Sequence, residues 1–237
     1  MKATVELRGN ACVAWLPSPH HRYEDRYRML PVSIPLVAEA ARGELHGVFD
    51  GVCSAPRGMA AAQFMADCLI RFIQQPRLGL PDLLTEANAT IHGWGFIEGS
   101  TRPKGACAGT VAHIQYGEVS LFHCGDTCAF LLGEQGTTQL LTSTHEVDGA
   151  IFNYFGLGDG MQLETAQVSL GTDDFLLMVS DGVTKTFHQM EIARWMHEQI
   201  ARTGDPIDSL RELVELARRR GSLDDITALL IASDDLG

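Results

Sequence analysis

The sequence predicts an α+β fold in which two packed antiparallel β-sheets are flanked by helices, an α-β-β-α sandwich. Helical patterns lie near the start and again near the end of the chain, with a long run of short strand-like segments between them. A final apolar segment follows the late helices. Since helices and sheets each bury an apolar face, two stacked sheets with helices outside satisfy this order of elements.

The first half of the chain alternates strand and helix signals. GELHGVFDG ends an apolar run in an Asp-Gly turn, which is typical of a strand end. Pro56 indicates the start of a helix, because proline is favoured in the first helical turn. The elements predicted here are strands at 3–8, 12–16 and 43–51, a Pro-, His- and charge-rich loop at 17–28, and helices at 56–75 and 81–94.

The second half is richer in strands. Residues 109–142 contain four β-rich runs broken by Gly-containing turns, which indicates a meander. The further predicted elements are two strands within 159–182, helices at 189–202 and 206–220, and a last strand at 225–232. With 237 residues and no linker-like stretch, we expect a single domain over residues 1–237.

Composition excludes several classes of protein. The net charge of −12 argues against a nucleic-acid binder, which would concentrate Lys and Arg. It fits a protein that holds several carboxylates together and neutralises them with cations. No apolar run has the length of a membrane span, and the N-terminus has no apolar signal core. We therefore expect a cytoplasmic monomer with no nucleic-acid and no membrane partner.

Six cysteines occur without C-x-x-C spacing, which favours free buried thiols in a reducing compartment. Cys53 is set apart, because it lies beside the Asp-Gly turn at Asp50.

Acidic residues recur at strand ends. Asp50 and Asp181 each follow an apolar run, and Asp126 and Asp224 lie in loops beside predicted strands. A single Asp in such a place is usually a turn residue. Several converging carboxylates would repel one another, however, unless hard cations such as Mg²⁺ or Mn²⁺ lay between them. Glu24, beside Asp25 in the early loop, is a fifth candidate. Gly51 would let the backbone bend so that its carbonyl also faces a metal.

Six short motifs together resemble the metal-dependent protein serine/threonine phosphatases, the protein phosphatase 2C family, in its compact bacterial form. They occur in the order EDR at 24–26, FDG at 49–51, AGT at 108–110, CGDT at 124–127, VSDGV at 179–183 and DDIT at 224–227. Gly58 matches a helix glycine of the bacterial form. Each motif is weak alone, but the ordered set extends from Glu24 to the last strand.

The resemblance implies a β-sandwich with a two-metal centre where the sheets meet. Asp50 would bridge two Mn²⁺ or Mg²⁺ ions, and Gly51 would supply its carbonyl. The other metal positions that it implies are Asp181 and Asp224 on one ion, Glu24 through water on the other, and Asp126 on a third, weakly bound ion. The implied reaction is hydrolysis of phosphoserine or phosphothreonine in a phosphorylated protein by a metal-activated water, in bacterial-type signalling.

Several positions depart from the family pattern. Val52 replaces a His that animal members use as a proton donor. His20 replaces the phosphate-binding Arg, with Arg22 nearby, and either side chain could take over phosphate binding if the loop is extended. A thiol at Cys53 would feel the charge of the ions, so a redox role is a further hypothesis.

Two other functions stay open from the sequence alone. The altered residues after Asp50 favour a pseudophosphatase that serves as a binding or regulatory module, whereas the retained Asp50, Asp181 and Asp224 argue against it. A phosphomonoesterase that acts on small molecules would use the same metals, and substrate choice lies in the loops.

Overall fold

The computed structural model describes residues 2–133, 136–234 and 236. The strands are β1 Thr4–Arg8, β2 Ala11–Leu16, β3 Arg26–Leu30, β4 Glu44–Gly51, β5 Cys107–Gln115, β6 Glu118–Cys124, β7 Cys128–Leu132, β8 Thr138–Leu140, β9 Glu146–Val147, β10 Ala150–Ile151, β11 Glu164–Ser169, β12 Phe175–Val179 and β13 Ile226–Ala232. The α-helices are α1 Pro35–Ala40, α2 Gly58–Gln74, α3 Leu80–His92, α4 Asp181–Thr184, α5 Gln189–Thr203 and α6 Pro206–Arg219.

Two antiparallel sheets form the centre of the fold. The six-stranded sheet has the order β1-β2-β13-β12-β7-β8, and the five-stranded sheet has the order β11-β6-β5-β4-β3. Helices α2 and α3 pack outside the five-stranded sheet, and α5 and α6 pack outside the six-stranded sheet. The predicted α+β sandwich of two antiparallel sheets flanked by helices is confirmed.

Apolar side chains fill three layers. Val13, Val48 and Met178 belong to the layer between the two sheets. Phe49 and Met65 belong to the layer under α2, and a third layer lies under α5 and α6. Because both faces of each sheet are covered, every residue of β13 is buried, which explains its continuous apolar sequence.

The predicted meander is wrong, because its four strands divide between the sheets. β5 and β6 pair in the five-stranded sheet, whereas β7 and β8 pair in the six-stranded sheet. The chain passes from one sheet to the other within residues 125–127. Gly125 has φ +117°, and a Cβ there would lie 2.3 Å from that of Ala108, so this passage requires glycine.

The predicted loop at 17–28 is also partly wrong, since it runs into β3. β3 pairs with β4 and is half-buried, so its alternation of Arg with Tyr and Met gave only a weak strand signal. Helix α2 begins at Gly58 instead of Pro56. Among the described residues, no helix is both long and apolar enough to cross a membrane.

Candidate metal centre

Five aspartates converge at one end of the sandwich. Asp50 is near the end of β4, Asp181 begins α4 directly after β12, and Asp224 lies just before β13. Asp126 lies in the crossing from β6 to β7, and Asp25 directly precedes β3. The charges of the other four aspartates all act on the Asp50 carboxyl group, and Asp50 and Asp181 are in hydrogen-bond contact. The structure therefore brings together four of the predicted metal-binding side chains and adds Asp25.

Direct backbone contacts position these side chains. A Cβ on Gly51 would lie 2.7 Å from the carbonyl carbon of Gly58, and one on Gly182 would lie 1.8 Å from the carbonyl oxygen of Asp225. The first contact sets β4 against the start of α2, and the second sets α4 against the start of β13. Gly51 pairs with Cys107 as the last residue of β4, so its requirement here is steric, not the backbone bend that the sequence suggested.

The carboxylates are poorly compensated by hydrogen bonds. One oxygen in each of Asp25, Asp50, Asp126 and Asp181 is buried and has no hydrogen-bond partner in the described part of the chain. Burial and, secondly, the neighbouring carboxylates raise the pKa of Asp50 well above its usual value. Burial also raises the pKa of Asp126 to about 7. A buried group of like charges is the environment that a hard cation stabilises.

Lys185 is the cation that lies among these aspartates. Its Nζ is 2.5 Å from Asp181 Oδ2 and 2.5 Å from Asp224 Oδ2. Burial acts to raise the pKa of Asp224, but the hydrogen bond and charge of Lys185 outweigh it and hold that pKa below its usual value. One ammonium group thus compensates one side of the cluster and leaves Asp50 and Asp126 without a direct cationic contact among the described residues.

Asp25, and not Glu24, is the buried acid of the early loop. Asp25 is 1% exposed, and its Oδ2 accepts a hydrogen bond from the Thr227 hydroxyl at 2.7 Å. Burial is the largest cause that raises the pKa of Asp25 to about 8. Glu24 is half-buried, and its carboxylate contacts the thiol of Cys53.

Asp225 fixes the same loop to β13. Its two carboxylate oxygens accept hydrogen bonds from the backbone N–H groups of Ser18 at 2.6 Å and Glu24 at 2.5 Å. The ends of β12 and β13 are joined by Ser180, whose N–H donates to the Thr227 carbonyl and whose hydroxyl accepts from the Thr227 N–H. These hydrogen bonds hold the segments that carry the acidic side chains in place.

The two candidate phosphate-binding residues, His20 and Arg22, are both exposed. The guanidinium group of Arg22 has no hydrogen bond or ion pair among the described residues. His21, between them, lies against the cluster, with its Nε2 3.5 Å from Asp224 Oδ1. The structure therefore does not bring His20 or Arg22 into contact with the aspartates.

Comparison with known families identifies the chain. The family model of stage II sporulation protein E matches residues 57–234, which is most of the chain and includes Asp126, Asp181 and Asp224. The chain belongs to this family. The resemblance to protein phosphatase 2C that the motifs predicted is confirmed.

Named relatives agree with this assignment. The chain is 26% identical over 260 residues to probable protein phosphatase 2C 74 of Oryza sativa subsp. japonica, covering 89% of this chain and 62% of the rice protein. It thus spans less than two thirds of that relative's length.

Two solved structures show the same fold. The structure of the serine/threonine phosphatase Stp1 from Staphylococcus aureus superposes with a TM-score of 0.77 at 18% identity, covering 99% of this chain and 98% of that one. The catalytic domain of the serine/threonine protein phosphatase PstP, in complex with two manganese ions, gives a TM-score of 0.74 at 18% identity, covering 99% and 100%.

This member of the stage II sporulation protein E family carries a second buried polar cluster beside the aspartates. The Nδ1 of His123 lies 2.8 Å from the Thr110 hydroxyl, which in turn lies 2.7 Å from that of Thr127. The His123 Nε2 lies 2.9 Å from the Ser143 carbonyl oxygen. Burial lowers the pKa of His123 to about 4, so the ring is neutral and its Nε2–H donates to that carbonyl.

His145 continues this network. Its Nδ1 accepts from the Gly125 N–H at 3.0 Å, so its Nε2–H donates to Glu164 at 3.1 Å. His123, His145 and Glu164 are close enough to hold an ion, but both ring nitrogens of each histidine already have hydrogen-bond partners. The cluster therefore serves to fix Gly125 and Thr127, the residues on either side of Asp126.

Three site residues escaped sequence reasoning. Lys185 lies four residues after Asp181, and this spacing signals an ion pair once α4 is known to be a helix. The Asp-Gly pair at Asp181 by itself indicates a turn, and a turn predicts no contact four residues later. Asp25 stands in the EDR motif, but the family resemblance implies Glu24 at the metal position. His21 had no signal of its own between His20 and Arg22.

Cys53 is the cysteine for which the sequence suggested a redox role. Cys53 is exposed, while the other five cysteines are buried. Partial burial of its thiol, the hydrogen bond to Glu24 and the nearby carboxylates together raise the pKa of Cys53 to about 12, which favours the neutral thiol in the absence of a bound cation.

Proposed function

We propose that this chain is a Mn²⁺- or Mg²⁺-dependent protein phosphatase that hydrolyses phosphoserine and phosphothreonine in a protein substrate, in bacterial-type signalling. The observation that carries the proposal is the convergence of five aspartates with buried, unpartnered oxygens at one end of the sandwich. The names of the relatives support it, as does the pair of manganese ions in the PstP complex.

The donor set fits hard divalent ions. All of the converging side chains offer carboxylate oxygens, which Mg²⁺ and Mn²⁺ prefer, and their mutual repulsion would be relieved by binding. Asp50 and the Gly51 carbonyl would serve two ions. The remaining proposed positions are Asp181 and Asp224 on one ion, Glu24 through water on the other, and Asp126 on a third. The bound ions would supply a water of lowered pKa and would neutralise charge on the phosphoryl oxygens.

The other residues hold this arrangement. Thr227 orients Asp25, Asp225 fastens the early loop, and the network of His123 fixes the crossing that carries Asp126. Arg22, with an exposed and unpaired guanidinium group, is the stronger candidate to bind the substrate phosphate, since a planar fork can hold two phosphate oxygens at once. His20 remains the alternative.

A pseudophosphatase is the second candidate, and Lys185 is the observation that favours it. Its ammonium group lies between Asp181 and Asp224, where one of the ions is proposed to bind. An ion must displace this ammonium group, which would weaken metal binding on that side.

Hydrolysis of a phosphothreonine peptide and of an aryl phosphate tests the proposal, each with Mn²⁺, without it and with excess chelator. We expect turnover of the peptide that requires Mn²⁺ and is lost in Asp50→Asn. Mn²⁺ binding without turnover of either compound would indicate the pseudophosphatase. A strong preference for small aryl phosphates would indicate a phosphomonoesterase, and full activity after exhaustive chelation would refute the metal centre.

A further inference from the structure

We propose that His21, Cys53 and Asp224 form a second metal site, selective for Zn²⁺, at the rim of the aspartate cluster, and that its occupation inhibits the chain. One ligand atom from each of the three residues lies within 4.8 Å of the other two. His21 and Cys53 are exposed and Asp224 is partly exposed, so an ion can reach them from solvent. The inhibition rests on the proposed phosphatase function, whereas the binding does not.

The histidine is already oriented as a ligand. Its Nδ1 lies 2.9 Å from the carbonyl oxygen of Arg22 and donates to it, so Nε2 carries the lone pair in the neutral ring. This Nε2 faces Asp224 Oδ1 at 3.5 Å. Metal-binding histidines commonly use one ring nitrogen for a carbonyl and the other for the ion, which fixes the ring in the required orientation.

The donor types select zinc over manganese. A thiolate, an imidazole nitrogen and a carboxylate oxygen are the ligands of protein zinc sites, whereas Mg²⁺ and Mn²⁺ prefer oxygen alone. Binding forms a zinc–sulfur bond as the Cys53 thiol releases its proton to solvent. Glu24, in contact with that thiol, can supply a fourth ligand or accept the proton.

Asp224 connects this site to the aspartate cluster. Its Oδ2 lies with Lys185 on the side of Asp181, and its Oδ1 faces His21. The two oxygens of one carboxylate thus belong to two neighbouring cation positions. Zinc on Oδ1 would withdraw charge from Oδ2 and hold the carboxylate toward the rim, so the proposed Mn²⁺ site would lose affinity.

Cobalt spectroscopy tests the site without any substrate. Co²⁺ bound to a thiolate gives a charge-transfer band in the near ultraviolet, and Cys53 is the exposed cysteine. We expect the band in the wild-type chain, its loss in Cys53→Ser, and zinc affinity reduced by more than about tenfold in Cys53→Ser and His21→Ala. His20→Ala, which changes the adjacent exposed histidine, is the matched control and should keep both.

Zinc affinity is measured by competition with a chromophoric chelator, at one fixed Mg²⁺ concentration below saturation for every variant. A cobalt–thiolate band that persists in Cys53→Ser, or equal zinc affinity in wild type and both variants, would overturn the site. Inhibition is then measured at fixed Mn²⁺ relative to the zinc-free rate of each variant. We expect Cys53→Ser to need at least about tenfold more zinc for half-inhibition. Equal sensitivity would overturn the inhibitory role.

If the chain showed no Mn²⁺-dependent turnover at all, the proposed function would fail. The cobalt and zinc-binding measurements need no substrate, so they would still show whether the zinc site exists.

Discussion

The aspartate cluster and the His123 network are both buried and polar, lie beside one another, and differ in how their atoms are partnered. In the network, both ring nitrogens of His123 and of His145 have hydrogen-bond partners. In the cluster, four carboxylate oxygens have none among the described residues. Since an unpartnered buried polar atom costs free energy, the first arrangement stabilises the fold, whereas the second costs stability that the proposed metal ions would restore.

The largest expected effect comes from Asp50→Asn, which removes one charge from the centre of the cluster. Turnover with Mn²⁺ should fall by more than the roughly 10- to 100-fold typical for loss of an outer-shell partner of a metal site. Without metal, the variant should be at least as stable as wild type, because repulsion is reduced. Steady-state kinetics and urea unfolding in chelator measure the two effects. Near-normal turnover would show that the metal centre lies elsewhere.

The contrast between partnered and unpartnered groups extends to two arginines. Arg26 donates to the Tyr23 and Asp25 carbonyls and to Gln63, whereas the Arg22 guanidinium group is free among the described residues. Arg22→Ala should raise KM for a phosphopeptide by about tenfold, the low end for a hydrogen bond to a charged group at about 1.5 kcal/mol.

Mn²⁺ affinity should stay unchanged in Arg22→Ala, and Arg26→Ala should lower stability instead. If His20→Ala raises KM and Arg22→Ala does not, the phosphate contact belongs to His20.

His123→Ala should have the opposite effect on stability to Asp50→Asn. It leaves the Thr110 hydroxyl and the Ser143 carbonyl without their partner, which costs roughly 1–3 kcal/mol for a buried polar group. For a chain of this size, the melting temperature should fall by about 2–4 °C per kcal/mol. His188→Ala, at an exposed histidine, is the control. An unchanged melting temperature would mean that the network contributes nothing to the fold.

The metal-free protein should lose stability as the pH rises. Burial raises the pKa of Asp25 from 3.8 to about 8 and that of Asp126 to about 7. The folded state therefore holds protons more tightly than the unfolded state, and the stabilisation present below about pH 4 is lost as the pH rises through these values. Urea unfolding in chelator from about pH 5 to pH 8 measures it. With saturating Mn²⁺ the free energy of unfolding should instead rise with pH, since the ions bind the deprotonated carboxylates.

Lys185→Met should give the smallest change of these variants, and it tests whether the lysine competes with the proposed ion. Removal of the competing ammonium group should raise Mn²⁺ affinity about two- to fivefold, in line with the roughly 0.5–1 kcal/mol of a partly exposed ion pair. Lys185→Arg keeps the charge and is the matched control. Calorimetric titration measures both. A drop in Mn²⁺ affinity in Lys185→Met would show that the lysine helps the ion to bind.

Much of the fold followed from the sequence because its signals are local. The apolar run of β13 and the helical spacing of α6 identified those elements directly. The division of β5–β8 between two sheets could not be predicted, since turn residues do not specify which partner a strand pairs with. The half-buried β3 was not predicted for a related reason. Its apolar alternation is weak, and its pairing with β4 contributes much of what makes it a strand.

The residues of the candidate site also fall into two groups, those that local sequence predicts and those that it does not. Asp50 and Asp181 were predictable, because each ends an apolar strand and is followed by a glycine that a backbone contact requires. Lys185 and the choice of Asp25 over Glu24 depend on contacts between distant segments, such as that of Thr227 with Asp25. Such contacts leave no trace in the spacing of neighbouring residues.

The position of the aspartates across the two sheets has a thermodynamic consequence. Asp25 and Asp50 adjoin strands of the five-stranded sheet, whereas Asp181 and Asp224 adjoin strands of the six-stranded sheet. An ion held between them would act as a crosslink across the apolar layer, made and broken by mass action. Resistance to unfolding would then grow with the logarithm of free ion concentration, so the packing of the two sheets would itself report the metal supply around the protein.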